Sequence, residues 1–162
     1  MDEMKKFMQL IATDKTAGEQ IICKAALHAI LDGEAADRAG LAAAAGFLPE
    51  KVDAILDGLV SRGLVVVDPD CGRVVGSWGL SLVPTVHKLR IRGRDLYTWC
   101  AVDAVGIPAG LGEDALISSR CHHCNESVNI EIAAGHLSRA VPLSVQVWVT
   151  AGQAGRSIVG YT

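Results

Sequence analysis

Apolar positions recur at helical spacing in the first half of the chain and switch to alternation in the second. In EQIICKAALHAILDG, residues 19–33, Ile22, Ala26, Ile30 and Leu31 line one helical face, and Gly33 ends the run. RAGLAAAAGFL, residues 38–48, predicts a short alanine-rich helix stopped at Gly46. PEKVDAILDGLVSRG, residues 49–63, opens on Pro49 with Glu50 beside it, both suited to a helix N-terminus. Its predicted buried stripe is Val52, Ile55, Leu56, Leu59 and Val60, and Gly63 caps it. LVVVDPDCGRVVG, residues 64–76, then predicts two short strands joined by a turn over Asp68–Gly72.

From residue 79 the period changes. In LSLVPTVHKLRIRGRDLYTWCAVDA, Val86, Leu89 and Ile91 set against His87, Lys88, Arg90 and Arg92 predict a half-buried strand, with a hairpin turn at Gly93-Arg94. DLYTWCAVDAVGI predicts a short helix with Asp95 near its start and Pro108 blocking its extension. ALISSRCHHCNESVNIEIAAG predicts two strands joined over Cys121–Asn125, and PLSVQVWVTAG one further alternating strand. The fold class is therefore α+β. A helical, winged-helix-like domain over 1–78 is expected to pack on a small sheet-rich α+β domain over 79–162.

Helix, short helix, helix, hairpin is the element order of DNA-binding winged helices, whose third helix enters the major groove. Charge speaks against that use here. The third helix sets Glu50, Asp53 and Asp57 against Lys51 and Arg62, and the whole chain carries a formal net charge of −3. A packing module is the simpler reading, with a metal-responsive regulator as a lesser alternative.

With 162 residues, half of them hydrophobic and a fifth charged, the chain can bury a substantial core. The opening MDEMKKFMQLIATDK has neither a signal-peptide nor a transit-peptide pattern, and no apolar run reaches the roughly 18 residues of a membrane helix. A soluble, cytoplasmic protein with no membrane partner is expected. In that compartment the five cysteines are expected as free thiols, metal ligands or nucleophiles rather than disulfides.

Two stretches carry candidate chemistry. Cys100 and Asp103 stand three apart, so on a helix they project together. A helix N-terminus lowers a thiol pKa and a neighbouring carboxylate raises it, so the pair suits a soft electrophile taken by sulfur while the acid handles a proton. The plain alternative is a core cysteine beside a capping or solvated aspartate. In CHHCN, residues 121–125, Cys121 and Cys124 have chelating spacing for Zn(II), Cu(I) or Hg(II), and His122 or His123 can join them. A closed zinc site needs four ligands, however, and the other candidates, Cys71, His87 and His136, are scattered. Cys23 is expected in the core, His28 on the surface and Cys71 exposed in the wing turn. The basic cluster Lys88, Arg90, Arg92 and Arg94 is expected on a solvated strand face.

These residues carry a family resemblance. The GLSLVPT segment at 79–85, the LYTWCAVD core at 96–103, the proline at 108 and SSRC at 118–121 make the sequence resemble the organomercurial (alkylmercury) lyases over nearly the whole chain. The resemblance implies a winged-helix-like N-terminal part packed on the catalytic part, and cleavage of carbon–mercury bonds by protonolysis in mercury detoxification. Cys100 would capture mercury, and Asp103 would take the thiol proton and deliver it to the leaving carbon. Cys121 matches a family cysteine read as structural, while Cys124, His122 and His123 are additional. No cofactor is implied. Hg(II) is a product, and a mercuric reductase or a thiol acceptor is the implied partner.

The family's second catalytic cysteine, further downstream, has no counterpart in AGRSIVGYT, residues 154–162. Three readings follow: a truncated product, a divergent lyase in which Cys121 or Cys124 supplies the second sulfur, or a family-like soft-metal binder without turnover.

Overall fold

The computed structural model describes residues 15–147. Among the described residues three helices come first: α1 (Ala17–Leu31), α2 (Arg38–Ala45) and α3 (Pro49–Ser61). Thr16 and Glu19 form a capping box that starts α1, a T-x-x-E signal that lies ahead of the apolar run. Asp37 caps α2 by accepting from the Gly40 N–H at 2.7 Å, and Gly46 ends that helix in the left-handed region. Pro49 opens α3. Val52, Leu56 and Leu59 are buried on α3 as expected, whereas Ile55 is half-buried and Val60 is exposed.

The strands are β1 (Val65–Val67), β2 (Val74–Ser77), β3 (Leu80–Ser81), β4 (His87–Ile91), β5 (Arg94–Thr98), β6 (Ala115–Arg120), β7 (Ser127–Ala133) and β8 (His136–Val141). Helix α4 (Ala101–Leu111) lies between β5 and β6. All strands join one antiparallel sheet in the order β1-β2-β3-β5-β4-β6-β7-β8. The sheet therefore runs without a break across position 78/79, where the sequence pattern changes. The fold class is α+β, as the pattern indicates.

Several local expectations are corrected. Residues 95–98 lie in a strand rather than a helix, because they pair with β4 on one side and β3 on the other. The β4–β5 turn is Arg92-Gly93, with both residues at positive φ, so Arg94 belongs to the strand. On β4 the inward residues are His87, Leu89 and Ile91, whereas Val86 is exposed: period two places 87, not 86, with 89 and 91. Pro108 sits inside α4, which continues to Leu111. Ala104 and Pro108, four apart, are both buried, so the lost backbone bond is offset by a packed helix face. Residues 136–141, not 142–147, form the last described strand, and the end of the expected 142–152 strand lies outside the described residues.

Two buried clusters hold the molecule together. One joins the inner face of β4–β8 to Ala104 of α4 and to Leu27, Ile30 and Leu31 of α1. The other joins Ile22, Cys23 and Ala26 of α1 to α2, α3, Val65 and Val74. Cys23 is fully buried, and its carbonyl accepts from the buried Ser77 hydroxyl at 3.0 Å, which ties α1 to β2. Lys88 and Arg90 project from the outer sheet face beside Asp95, and Arg92 pairs with Glu113, so the predicted basic cluster is solvated and matched by acids. Arg38 pairs with Asp53, and Arg62 with Glu19. Among the described residues no helix is long and apolar enough to cross a membrane.

Candidate active site

The segment leaving β5 is held on both sides. Opposite it, Trp78-Gly79 forms the tight β2–β3 turn with both residues at positive φ, and the Gly79 carbonyl accepts from the Trp99 N–H at 2.8 Å. The Thr85 hydroxyl donates to the Thr98 carbonyl at 2.7 Å, and the Thr98 hydroxyl to the Cys100 carbonyl at 3.1 Å. Trp99 is buried beneath the sheet, where a Cβ on Gly76 would come 3.1 Å from its ring. Its indole N–H has no hydrogen-bond partner among the described residues.

Cys100 then stands at the N-cap of α4 with extended backbone, and Asp103 is the third helical residue. Sequence spacing puts both on one helix, but the cysteine is the boundary residue. Cysteine stands here where serine or threonine commonly caps a helix, and its side chain makes no capping bond. The Cys100 thiol donates to Asp103 Oδ2 at 3.0 Å. The Cys100 backbone N–H also favours the ionised Asp103 carboxylate.

Burial governs the electrostatics of this pair. It pushes the Cys100 thiol up to about 12, with the neighbouring Asp103 charge and hydrogen bond adding to the rise. The backbone N–H groups of Val102 and Asp103 pull the other way without prevailing. The thiolate-favouring effect of a helix N-terminus is thus outweighed here. Burial also raises Asp103 above the ordinary carboxylate range, against the two stabilising bonds from Cys100. At neutral pH the sulfur holds its proton, and the nearest acceptor is an aspartate made more basic than usual.

The approach of Asp103 to Gly79 is very close: a Cβ there would stand 2.2 Å from Asp103 Cγ. Only glycine leaves room for the carboxylate, and its φ of +83° suits glycine as well. Sequence reasoning saw Gly79 only as part of a motif. Its function as the wall behind Asp103 has no periodic signal.

A polar row follows: the buried Thr98 and His87 are cross-strand partners, and Oγ of the half-buried Ser119 lies 2.6 Å from His87 Nδ1. Burial lowers the His87 pKa. Two residues beyond Ser119 begins the turn bearing Cys121, His122, His123 and Cys124. Cys121 is half-buried and Cys124 exposed, both as free thiols, and the two histidines are exposed. The Cys121 pKa is lowered, first by the Cys124 backbone N–H, then by the His123 N–H and the Cys124 side chain. Among the described residues, no three His, Cys, Asp or Glu side chains are arranged to hold a metal ion. The structure thus makes two separate pairs, Cys100 with Asp103 and Cys121 with Cys124.

The alkylmercury lyase family model matches residues 80–162, the stretch that contains both pairs. The chain belongs to the alkylmercury lyase family. It is 34% identical over 121 residues to an alkylmercury lyase of Bacillus cereus, covering 75% of this chain and 53% of that protein. It is 35% identical over 121 residues to one of Staphylococcus epidermidis, covering 75% of this chain and 54% of that protein. The chain thus spans about half the length of the curated relatives it matches. Its fold is similar to a solved structure described as the mercury-bound form of MerB2, with a TM-score of 0.77 and 29% identity over 89% of this chain and 69% of that one.

Proposed function

We propose that this member of the family cleaves carbon–mercury bonds by protonolysis, with Cys100 and Asp103 as its catalytic residues. The observation that carries the reading is the 3.0 Å bond from the Cys100 thiol to a half-buried carboxylate held against Gly79. Soft mercury selects sulfur over the oxygens around it. As the S–Hg bond forms, the thiol proton passes to Asp103, which its raised pKa equips to hold it. The carbon–mercury electron pair then takes that proton back. The hydrocarbon leaves, Hg(II) stays on Cys100 and Asp103 is ionised again. No oxidation state changes, so the step calls for no redox cofactor.

A second sulfur donor would push electron density toward carbon. With no third ligand beside the pair among the described residues, a small-molecule thiol supplies it in this reading. A thiol acceptor or a mercuric reductase would remove the product, and the reaction is assigned to the cytoplasm. The N-terminal part, 1–78, serves as a support for the catalytic part, 79–162, rather than as a DNA reader, since the arginines Arg38 and Arg62 are engaged in ion pairs.

The test is benzene release from a phenylmercury salt in the presence of excess thiol. Release by the wild type, abolished in Cys100→Ala and in Asp103→Asn, is expected. A folded wild type that releases no benzene would sink the proposal.

A further inference from the structure

The turn between β6 and β7 carries two thiols that this reaction leaves unused. The Asn125 N–H returns to the Cys121 carbonyl at 2.8 Å, and the Cys121 N–H donates to the Glu126 carbonyl at 2.9 Å. These bonds close a single helical turn that ends with Asn125 at φ 57°. Residues three apart in such a turn share a face, so the two thiols project together. Cys121 is half-buried and carried by these main-chain bonds, and its exposed partner Cys124 can swing to meet a ligand.

Strand register fixes where this pair stands relative to Cys100. Thr98 of β5 is opposite His87 of β4, and on the other side of β4 the Lys88–Ser118 pairing brings Ser119 to His87. β5 and β6 both run antiparallel to β4, so they run parallel to each other. Cys100 and Cys121 each lie two residues past that row, at the same end of the sheet and with the same parity. At that row two strand spacings, about 10 Å, separate β5 from β6.

We propose that Cys121 and Cys124 form a second mercury site, a two-thiolate chelate for the Hg(II) that the catalytic pair releases. The source of the ion rests on the lyase reading; the site itself does not. The exchange balances: two Hg–S bonds form at Cys121 and Cys124 with loss of two protons. The bonds from Hg(II) to Cys100 and to its small-thiol co-ligand break, and each of those sulfurs regains a proton. The pair outcompetes monothiols because its second sulfur binds intramolecularly, at an effective concentration of roughly millimolar or more. Hg(II) is satisfied by two sulfurs. Zn(II) seeks four ligands, and no third His, Cys, Asp or Glu is placed to join among the described residues.

The experiment uses the full chain carrying Cys100→Ser and Cys71→Ser, loaded with mercuric chloride, washed with excess monothiol and weighed by native mass spectrometry. About one Hg(II) per chain is expected to survive, and adding Cys124→Ser should reduce that at least tenfold, since a lone thiol loses the chelate advantage. Cys124 is exposed, so its replacement leaves the fold intact, checked by circular dichroism. Equal retention with and without Cys124, loss from both proteins, or equal retention of Zn(II) loaded alone would each overturn the assignment. Loading needs no turnover, so failure of arylmercury cleavage leaves this result standing, and failure of loading leaves the cleavage test intact.

Discussion

Gly79→Ala separates the position of Asp103 from its chemistry. The added Cβ would stand 2.2 Å from Asp103 Cγ, 2.4 Å from Oδ1 and 2.7 Å from Oδ2, where ordinary contact begins near 3.4 Å. The difference obliges the carboxylate to retreat by about 1 Å, because close-packed surroundings offer little slack. Alanine at φ +83° adds a backbone cost of about 1–2 kcal/mol. The retreat opens the 3.0 Å thiol–carboxylate bond, and a misplacement of about 1 Å costs on the order of 100-fold in rate. Benzene release from phenylmercury should therefore fall about 100-fold in Gly79→Ala. Thermal melts supply an independent reading. Asp103→Ala removes the obstruction, so Gly79→Ala should cost less in an Asp103→Ala background than in the wild type, by a coupling of about 1 kcal/mol or more. Release within about threefold of wild type, or an equal cost of Gly79→Ala in both backgrounds, would refute the claim that Gly79 positions Asp103.

Four further outcomes follow from the same geometry. Iodoacetamide at neutral pH should label Cys121 before Cys100: a thiol at about 12 holds roughly 1000-fold less thiolate than one at its ordinary 9, and the gain in nucleophilicity recovers only part of this, leaving Cys100 about 30–60-fold slower than an ordinary thiol, by peptide mass spectrometry. Because the Cys100 pKa is raised from 9.0 to about 12 on folding, its contribution to stability is intact below pH 9 and is lost as pH rises toward 12. Denaturant melts should show that alkaline decline, and Cys100→Ala should flatten it. Gly76→Ala should destabilise the protein by about 1–3 kcal/mol, since its Cβ would press on Trp99 and Val66 at 3.1 Å, and unchanged melts would contradict that contact. Leu89→Ala, at a fully buried centre of the sheet, should cost about 2–5 kcal/mol in chemical denaturation.

What the sequence made legible was what local rules encode. Apolar spacing, Gly33, Gly46 and Pro49 place α1, α2 and α3, because caps and periodicity act within a few residues. The β6–β7 hairpin around Cys121–Asn125 is readable for the same reason. Residues 95–98 were misread because two neighbouring strands claim them, and that pairing is non-local. His87 reads as a polar face residue until Ser119, from a strand remote in sequence, supplies its partner. Pro108 reads as a stop until the buried face it shares with Ala104 outweighs the missing bond. At the site, the motif gave Cys100 and Asp103 together. That the thiol is protonated, and that Gly79 walls the carboxylate, follows only from burial and a contact across the sheet.

Helix α1 has a consequence for how this molecule comes apart. Ile22, Cys23 and Ala26 belong to the cluster shared with α2 and α3, and Leu27, Ile30 and Leu31, one turn on, to the cluster on the inner face of β4–β8. A single rigid rod is thus rooted in both cores, and β2 and β3 lace the same junction. Heat or denaturant cannot loosen one half while sparing the other, so tryptophan fluorescence and far-ultraviolet dichroism from the helices should report one common transition. Substitutions in α1, far along the chain from any reacting atom, should shorten the lifetime of the Cys100 environment as surely as changes beside it.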